Sequence, residues 1–138
     1  IKSIEEMLNK NFIPVLFGDV AIAKDKGIDI LSGDQIISYL ANKLRPEKVI
    51  FLMDVDGIYD KDPRRYPNAK KYDNIRFDQL KKIFEKKSQE AGEYKLIDNL
   101  SLRILERSRI PVIVLNGNPP SNLLKAILGE KIGTKIIY

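Results

Sequence analysis

Val49, Ile50, Phe51, Leu52 and Met53 form an unbroken apolar run. A strand of that kind is stable only with both faces covered, as in a parallel sheet lying between two layers. The run empties into DVDGIYDKDP, residues 54–63, where carboxylates, a glycine and an aromatic crowd the strand's exit. That is the layout of a ligand site at the carboxyl end of a buried strand. Asp54, Asp56, Asp60 and Asp62 place four carboxylates within nine residues. They repel one another unless cations, backbone N–H groups or a ligand's donors occupy the space between them. The plain alternative is a solvated, Asp-rich turn.

A chain of 138 residues with 43% apolar content is long enough for one domain with a real core. Lys and Arg number 24 against 19 Asp and Glu, a net charge of +5 that would suit an anionic partner such as a nucleotide. The excess is spread along the chain. Its densest spot, Lys81, Lys82, Lys86 and Lys87, is interleaved with Asp78 and Glu85 and reads as a solvated helix face. No aromatic-basic interleaving supports a nucleic-acid partner, so none is expected. The chain has no Cys and no His, which removes thiol chemistry, the common zinc sites and any imidazole base. Acid, base and electrostatic work falls to Asp, Glu, Lys, Arg or Tyr, and no protein metal site is expected. No apolar run approaches the roughly 18 residues of a membrane span and no signal peptide opens the sequence, so a cytoplasmic, membrane-free location is expected. The sequence starts at Ile1 rather than Met, which fits a processed or partial chain.

Periodicity suggests alternating strands and helices. Residues 3–11 read as the end of a helix, and Ile13 to Phe17 as a short buried strand that stops at Gly18-Asp19. Apolar alternation on either side of KDKG predicts a hairpin over 20–31. Ser32 and Gln35 have the spacing of a capping box, and a helix should follow over 33–44, ending before Pro46. A parallel strand over 48–53 comes next, then an irregular connection to a helix over 77–87 with Leu80, Ile83 and Phe84 inward. A further helix is predicted over 95–109, with Leu96, Ile97, Leu100, Ile104 and Leu105 on its apolar side. Pro111 to Leu115 reads as a third buried strand ending at Asn116-Gly117-Asn118. Asn118 can cap a last helix with Leu123, Leu124, Ile127 and Leu128 inward, and an edge strand over 133–137 closes the chain. This alternation predicts an α/β layered fold with strands 13–17, 48–53 and 111–115 parallel in one sheet.

Parallel strands share one carboxyl edge, so the loops at Gly18-Asp19, 54–62 and 116–118 can line a single crevice. Ser32-Gly33-Asp34 adds a helix N-terminus, whose free N–H groups favour an anionic phosphate. Asp34 is either a plain dipole-stabilising carboxylate or one that holds cationic side chains beside a phosphate. Lys95 sits at the start of a predicted helix, where the dipole disfavours a cation, which mildly supports a functional role.

The motifs GDV at 18–20, SGD at 32–34, DVDGIYDKDP at 54–63 with Pro67 and Ala69, NGN at 116–118 and the terminal GTKI resemble the amino acid kinase superfamily. Within it the sequence is most similar to isopentenyl phosphate kinases, while QEAGEYKLID at 89–98 looks more like archaeal uridylate kinases. Met53 is a further departure, since Thr is common at that position. The resemblance implies a three-layer α/β sandwich with a mainly parallel sheet. It also implies that this chain is the carboxyl-terminal, ATP-binding half, the glycine-rich amino-terminal half being absent. Under the same resemblance Asp34 orders catalytic lysines and Lys95 contacts the transferring phosphates together with Gly92. Met53, Asp54, Tyr59 and Asp62 wall the adenosine, and Gly18 and Gly33 contact the acceptor. The implied cofactors are ATP and magnesium (Mg2+). The implied activity is phosphorylation of a small phosphate monoester, isopentenyl phosphate or alternatively UMP, by a homodimer. A hypothesis of another class is a nucleotide-binding module without transfer activity. Phosphoryl transfer needs mainly alignment and charge neutralisation, so the lack of His and Cys is no obstacle.

Overall fold

The computed structural model describes residues 1–87 and 97–138. In chain order the elements are α1 (Lys2–Asn9), β1 (Asp19–Ala23), β2 (Gly27–Leu31), α2 (Gly33–Leu44), β3 (Val49–Met53), β4 (Asn74–Arg76), α3 (Phe77–Lys87), α4 (Asn99–Ser108), β5 (Val112–Asn116), α5 (Ser121–Ile127) and β6 (Thr134–Ile137). The two apolar runs become neighbours: β3 pairs with β5 in parallel, Val49 opposite Val112 and Met53 opposite Asn116. The sheet order is β3-β5-β6-β4, with β5–β6 antiparallel and β4–β6 parallel. Strand alternation sends Val49, Phe51, Val112, Val114, Ile136 and Ile75 to one face. There they join Ala41, Leu80, Leu102 and Leu105 in the core under α2, α3 and α4. On the other face α5 touches β3 and β5. The result is a layered α/β fold on a mainly parallel sheet, as the sequence predicts.

α2 packs closely on α4 because the facing side chains are small: Ser38 and Ala41 are buried on one helix, Ser101 and Ser108 on the other. The predicted hairpin forms as β1–β2, Asp19 opposite Leu31 and Ala23 opposite Gly27. The helix predicted over 33–44 has those bounds, with the Gln35 N–H donating to the N-cap Ser32 hydroxyl at 3.2 Å.

Five expectations are corrected. Residues 13–17 form no strand, and Ile13, Val15 and Phe17 are 88%, 89% and 78% exposed. A strand apolar on both sides needs a sheet neighbour and two covering layers, and among the described residues neither reaches this segment. The stretch 133–137 is not an edge, since β6 lies between β5 and β4. β4 itself, three residues inside a connection that reads as irregular, carries too short a pattern to detect. The last helix starts at Ser121 without a side-chain cap, two residues after a cis Asn118–Pro119 bond. Its buried residue is Ala126, whereas Leu124, Ile127 and Leu128 are exposed. In α4, Asp98 is the N-cap, Leu102 is buried where it was not expected, and Leu100 is exposed. The start of that predicted helix, including Leu96, lies outside the described residues.

Thr134, fully buried, ties the far end of the sheet to the acidic turn. Its Oγ1 accepts from the Ile58 N–H at 2.8 Å while its hydroxyl donates to the Tyr72 carbonyl. Gly57 allows this approach: its φ is 151°, and a Cβ there would lie 2.5 Å from Thr134 Oγ1. Gly57→Ala is therefore expected to destabilise the fold by about 2 kcal/mol or more through strain and a broken buried bond. Gly33→Ala, where a Cβ meets nothing within 4 Å, should leave the melting temperature nearly unchanged. Thermal unfolding of the two variants checks this, and an unperturbed Gly57→Ala would refute the steric account.

Candidate functional site

The β3 exit folds so that the protein's own groups satisfy its carboxylates. Asp54 accepts from Arg64 Nη2 at 2.7 Å in an exposed ion pair. Asp56 accepts from Asn116 Nδ2 at 2.9 Å, which ties the β3 exit to the β5 exit. Asp60 accepts from the Lys70 N–H at 2.8 Å. Asp62 caps the following turn by accepting from the Arg64 N–H at 3.0 Å, and Arg65 Nε lies 3.8 Å from its other oxygen. The Gly117 N–H donates to the Met53 carbonyl at 2.9 Å and closes the junction of the two exits. Tyr59 is half-buried, and burial, followed by the charge of Asp56, pushes its phenol up, so it stays a neutral donor at physiological pH. Met53, Asp54, Tyr59 and Asp62 lie along the stretch that leaves the carboxyl end of β3. The turn is held by Asn116 and Thr134, which no local pattern marks, although both belong to the motifs NGN and GTKI.

A second group gathers where α2 and α4 begin side by side. Gly18 packs against this end: a Cβ on it would meet the Leu31 carbonyl at 2.6 Å and the Gly33 nitrogen at 3.1 Å. Ser32 caps α2, Asp98 caps α4, and the Ser32 hydroxyl donates to Asp98 Oδ2 at 3.1 Å. Asp98 also accepts from the Ser101 N–H at 2.9 Å and the Ser101 hydroxyl at 2.8 Å. Asp34 lies on the first turn of α2, with the Asp98 main chain beside its carboxylate. Burial, and after it the charge of Asp98, push the Asp34 carboxyl above its ordinary range. Burial also opposes charge on Asp98, but its bonds from Ser101, Ser32 and Leu100 outweigh that and hold its carboxyl low.

The helix-start group borders a cavity beside β3. Asp34 and Gly33 line a cavity of about 380 Å³ together with Ile50 and Leu52 of β3 and Pro14 and Leu16 of the preceding segment. A helix N-terminus with a fixed carboxylate beside an open cavity can receive a phosphate through the helix N–H groups and hold a cation against it. Gly92 and Lys95 lie outside the described residues. Asp98 is a residue that sequence reasoning passed over, although Asp is among the residues preferred at a helix N-cap. Among the described residues no three carboxylates converge as a metal site. None of the described helices is long and apolar enough to cross a membrane.

Comparison with known proteins places this geometry. The model of the amino acid kinase family matches residues 1–116. A uridylate kinase of Methanobrevibacter smithii is 37% identical over 106 residues, covering 77% of this chain and 47% of the relative. An isopentenyl phosphate kinase of Methanocaldococcus jannaschii is 34% identical over 151 aligned positions, covering 99% of this chain and 50% of the relative. Among solved structures, the product complex of T. acidophilum isopentenyl phosphate kinase superposes with a TM-score of 0.71 at 31% identity, over 98% of this chain and 52% of that one. The chain spans about half the length of the relatives it matches. The helix-start carboxylate, the glycine-lined junction and the acidic strand exit are thus carried by a chain that belongs to the amino acid kinase family.

Proposed function

We propose that this chain is the ATP-binding, carboxyl-terminal part of a kinase that phosphorylates a small phosphate monoester. The observation that carries the reading is Asp34, pinned at the N-terminus of α2 on the rim of the cavity beside β3. In this reading Met53, Asp54, Tyr59 and Asp62 wall the adenosine, and Gly92 and Lys95 contact the migrating phosphoryl group. Gly18 and Gly33 face the acceptor. In the transfer, the bond from the γ-phosphorus to the β-phosphate oxygen of ATP breaks. A bond forms from that phosphorus to a phosphate oxygen of the acceptor, giving ADP and a diphosphate. Asp34 would orient lysines that neutralise the equatorial charge, an electrostatic contribution of the kind that dominates phosphoryl transfer. Among the described residues no carboxylate cluster is placed to hold magnesium, which in this reading would be bound chiefly by the phosphates of ATP.

Isopentenyl phosphate is the acceptor we favour, because the likeness to isopentenyl phosphate kinase runs over 99% of the chain. UMP is the second reading, supported by the 37% identity to a uridylate kinase and by the character of residues 89–98. A nucleotide-binding module without transfer activity is the reading of another class. Turnover with each acceptor, measured in a protein that also carries the amino-terminal half, decides among them: phosphorylation of UMP but not isopentenyl phosphate overturns the first choice, and tight ATP binding with no turnover supports the module.

Magnesium-ATP is expected to slow hydrogen exchange across residues 53–63, and unchanged exchange there would remove the adenosine assignment. Asp34→Asn separates a cap from a catalytic group, since Asn serves a helix N-terminus as well as Asp and should shift stability by under about 1 kcal/mol. If Asp34 orders lysines, kcat should fall on the order of a hundredfold or more with little change in melting temperature. A near-normal kcat would defeat that role.

A further inference from the structure

Asp98 lies outside the strand-exit motifs, yet it makes more polar contacts than its role as a cap requires. Capping α4 needs one acceptor for the Ser101 N–H, which Oδ1 supplies at 2.9 Å. Its other oxygen, Oδ2, takes two hydroxyls, Ser101 at 2.8 Å from its own helix and Ser32 at 3.1 Å from the start of α2. The Ser32 hydroxyl is itself held, because it accepts from the Gln35 N–H at 3.2 Å. The Asp98 main chain in turn lies beside the Asp34 carboxylate, its N–H favouring the ionised form. Two crossed contacts therefore join α2 to Asp98, a hydrogen bond from Ser32, 66 positions away in sequence, to its side chain and the approach of Asp34 to its main chain. An N-cap that serves only its own helix would show neither.

We propose that Asp98 is a positioning residue: by clasping the N-termini of α2 and α4 through Ser32, it fixes where the Asp34 carboxylate sits. The inference rests on the role given to Asp34 above. Both helices present their positive ends here, so the closeness of two carboxylates is tolerated by the N–H groups that point at them. The small residues Ser38, Ala41, Ser101 and Ser108 let the helices approach closely enough for one hydroxyl to bridge them. Without the bridge, Asp34 keeps its place on α2 but loses its fixed distance to α4.

The consequence for titration follows from the charges. Among the described residues, Asp98 is the charged group whose field reaches Asp34, and it raises the Asp34 carboxyl in addition to burial. A carboxyl raised in the folded state binds its proton more tightly there than in the unfolded chain. The ionised form thus costs stability, and the cost grows as pH rises from the unfolded value through the folded one. Asp98 has the opposite sign: held low, it contributes stability above its unfolded value that is lost as pH falls through the folded one. Opening the clasp separates the two charges and exposes Asp34, so the Asp34 titration should move down toward an ordinary carboxylate.

The test uses Ser32→Ala and Asp98→Asn in this chain, with carboxyl-carbon NMR titration of Asp34 and amide hydrogen exchange at Asp98. The clasp predicts that Ser32→Ala lowers the Asp34 midpoint and speeds Asp98 amide exchange about tenfold or more. Asp98→Asn, which keeps a cap for α4, should lower the Asp34 midpoint too. If Asp98 only caps its helix, Ser32→Ala leaves both readouts at the parent values, and the proposal is overturned. In the turnover assay, Asp98→Asn should reduce kcat about tenfold with the KM for ATP unchanged, and a parent-like kcat would refute positioning. Absence of turnover in a protein that also carries the amino-terminal half defeats the kinase reading instead, while the two NMR readouts still decide whether the clasp holds Asp34.

Discussion

The parallel pairing of β3 with β5 is the constraint on which the rest of the structure depends. Each strand is apolar on both sides, so pairing them obliges helices to cover the sheet, and α2 and α4 on one face with α5 on the other meet that demand. Parallel pairing also sends both strands out at the same edge. Met53 lies opposite Asn116, and the polar loops that follow are forced into contact, with Asn116 reaching Asp56 and Gly117 reaching the Met53 carbonyl. The site is thus a by-product of how two buried strands are obliged to end.

Pairing of polar groups within the protein explains the next layer of organisation. The turn after β3 would present clustered carboxylates and unpaired backbone, yet each carboxylate has a partner within the protein and the turn is stapled to β6 through Thr134. At the other end of the site the two helix N-termini would leave orphan N–H groups, and Ser32 and Asp98 accept from them. In both places the hydrogen bonds that stabilise the fold also fix the carboxylates of the candidate site. Stability and pre-organisation are supplied by the same bonds here.

The apolar residues that are not covered mark where the physical account changes character. Ile13, Val15 and Phe17, together with Ile22, Ile28 and Ile30 of the hairpin, are largely exposed. A two-stranded hairpin alone buries little, and a five-residue run without a partner strand stays irregular whatever its propensity. Propensity favours a strand at 13–17; only a neighbour could make one.

By itself the sequence determined the elements with strong local signals. The periodicity of residues 33–44 and 77–87, the Ser32 cap, the hairpin around KDKG and the two buried strands were all legible, because each depends on residues close together in the chain. The motifs also carried the family, since glycines and carboxylates at fixed spacing are what a strand exit beside a phosphate requires. The tertiary structure alone decided the rest. That β6 lies inside the sheet, that Thr134 holds the acidic turn, that Leu100 faces out and that Asp98 clasps α2 are facts about pairs 66 or 76 residues apart or about which faces are covered. No local pattern encodes them, because a hydrogen bond or a burial is a property of two surfaces brought together rather than of either segment alone.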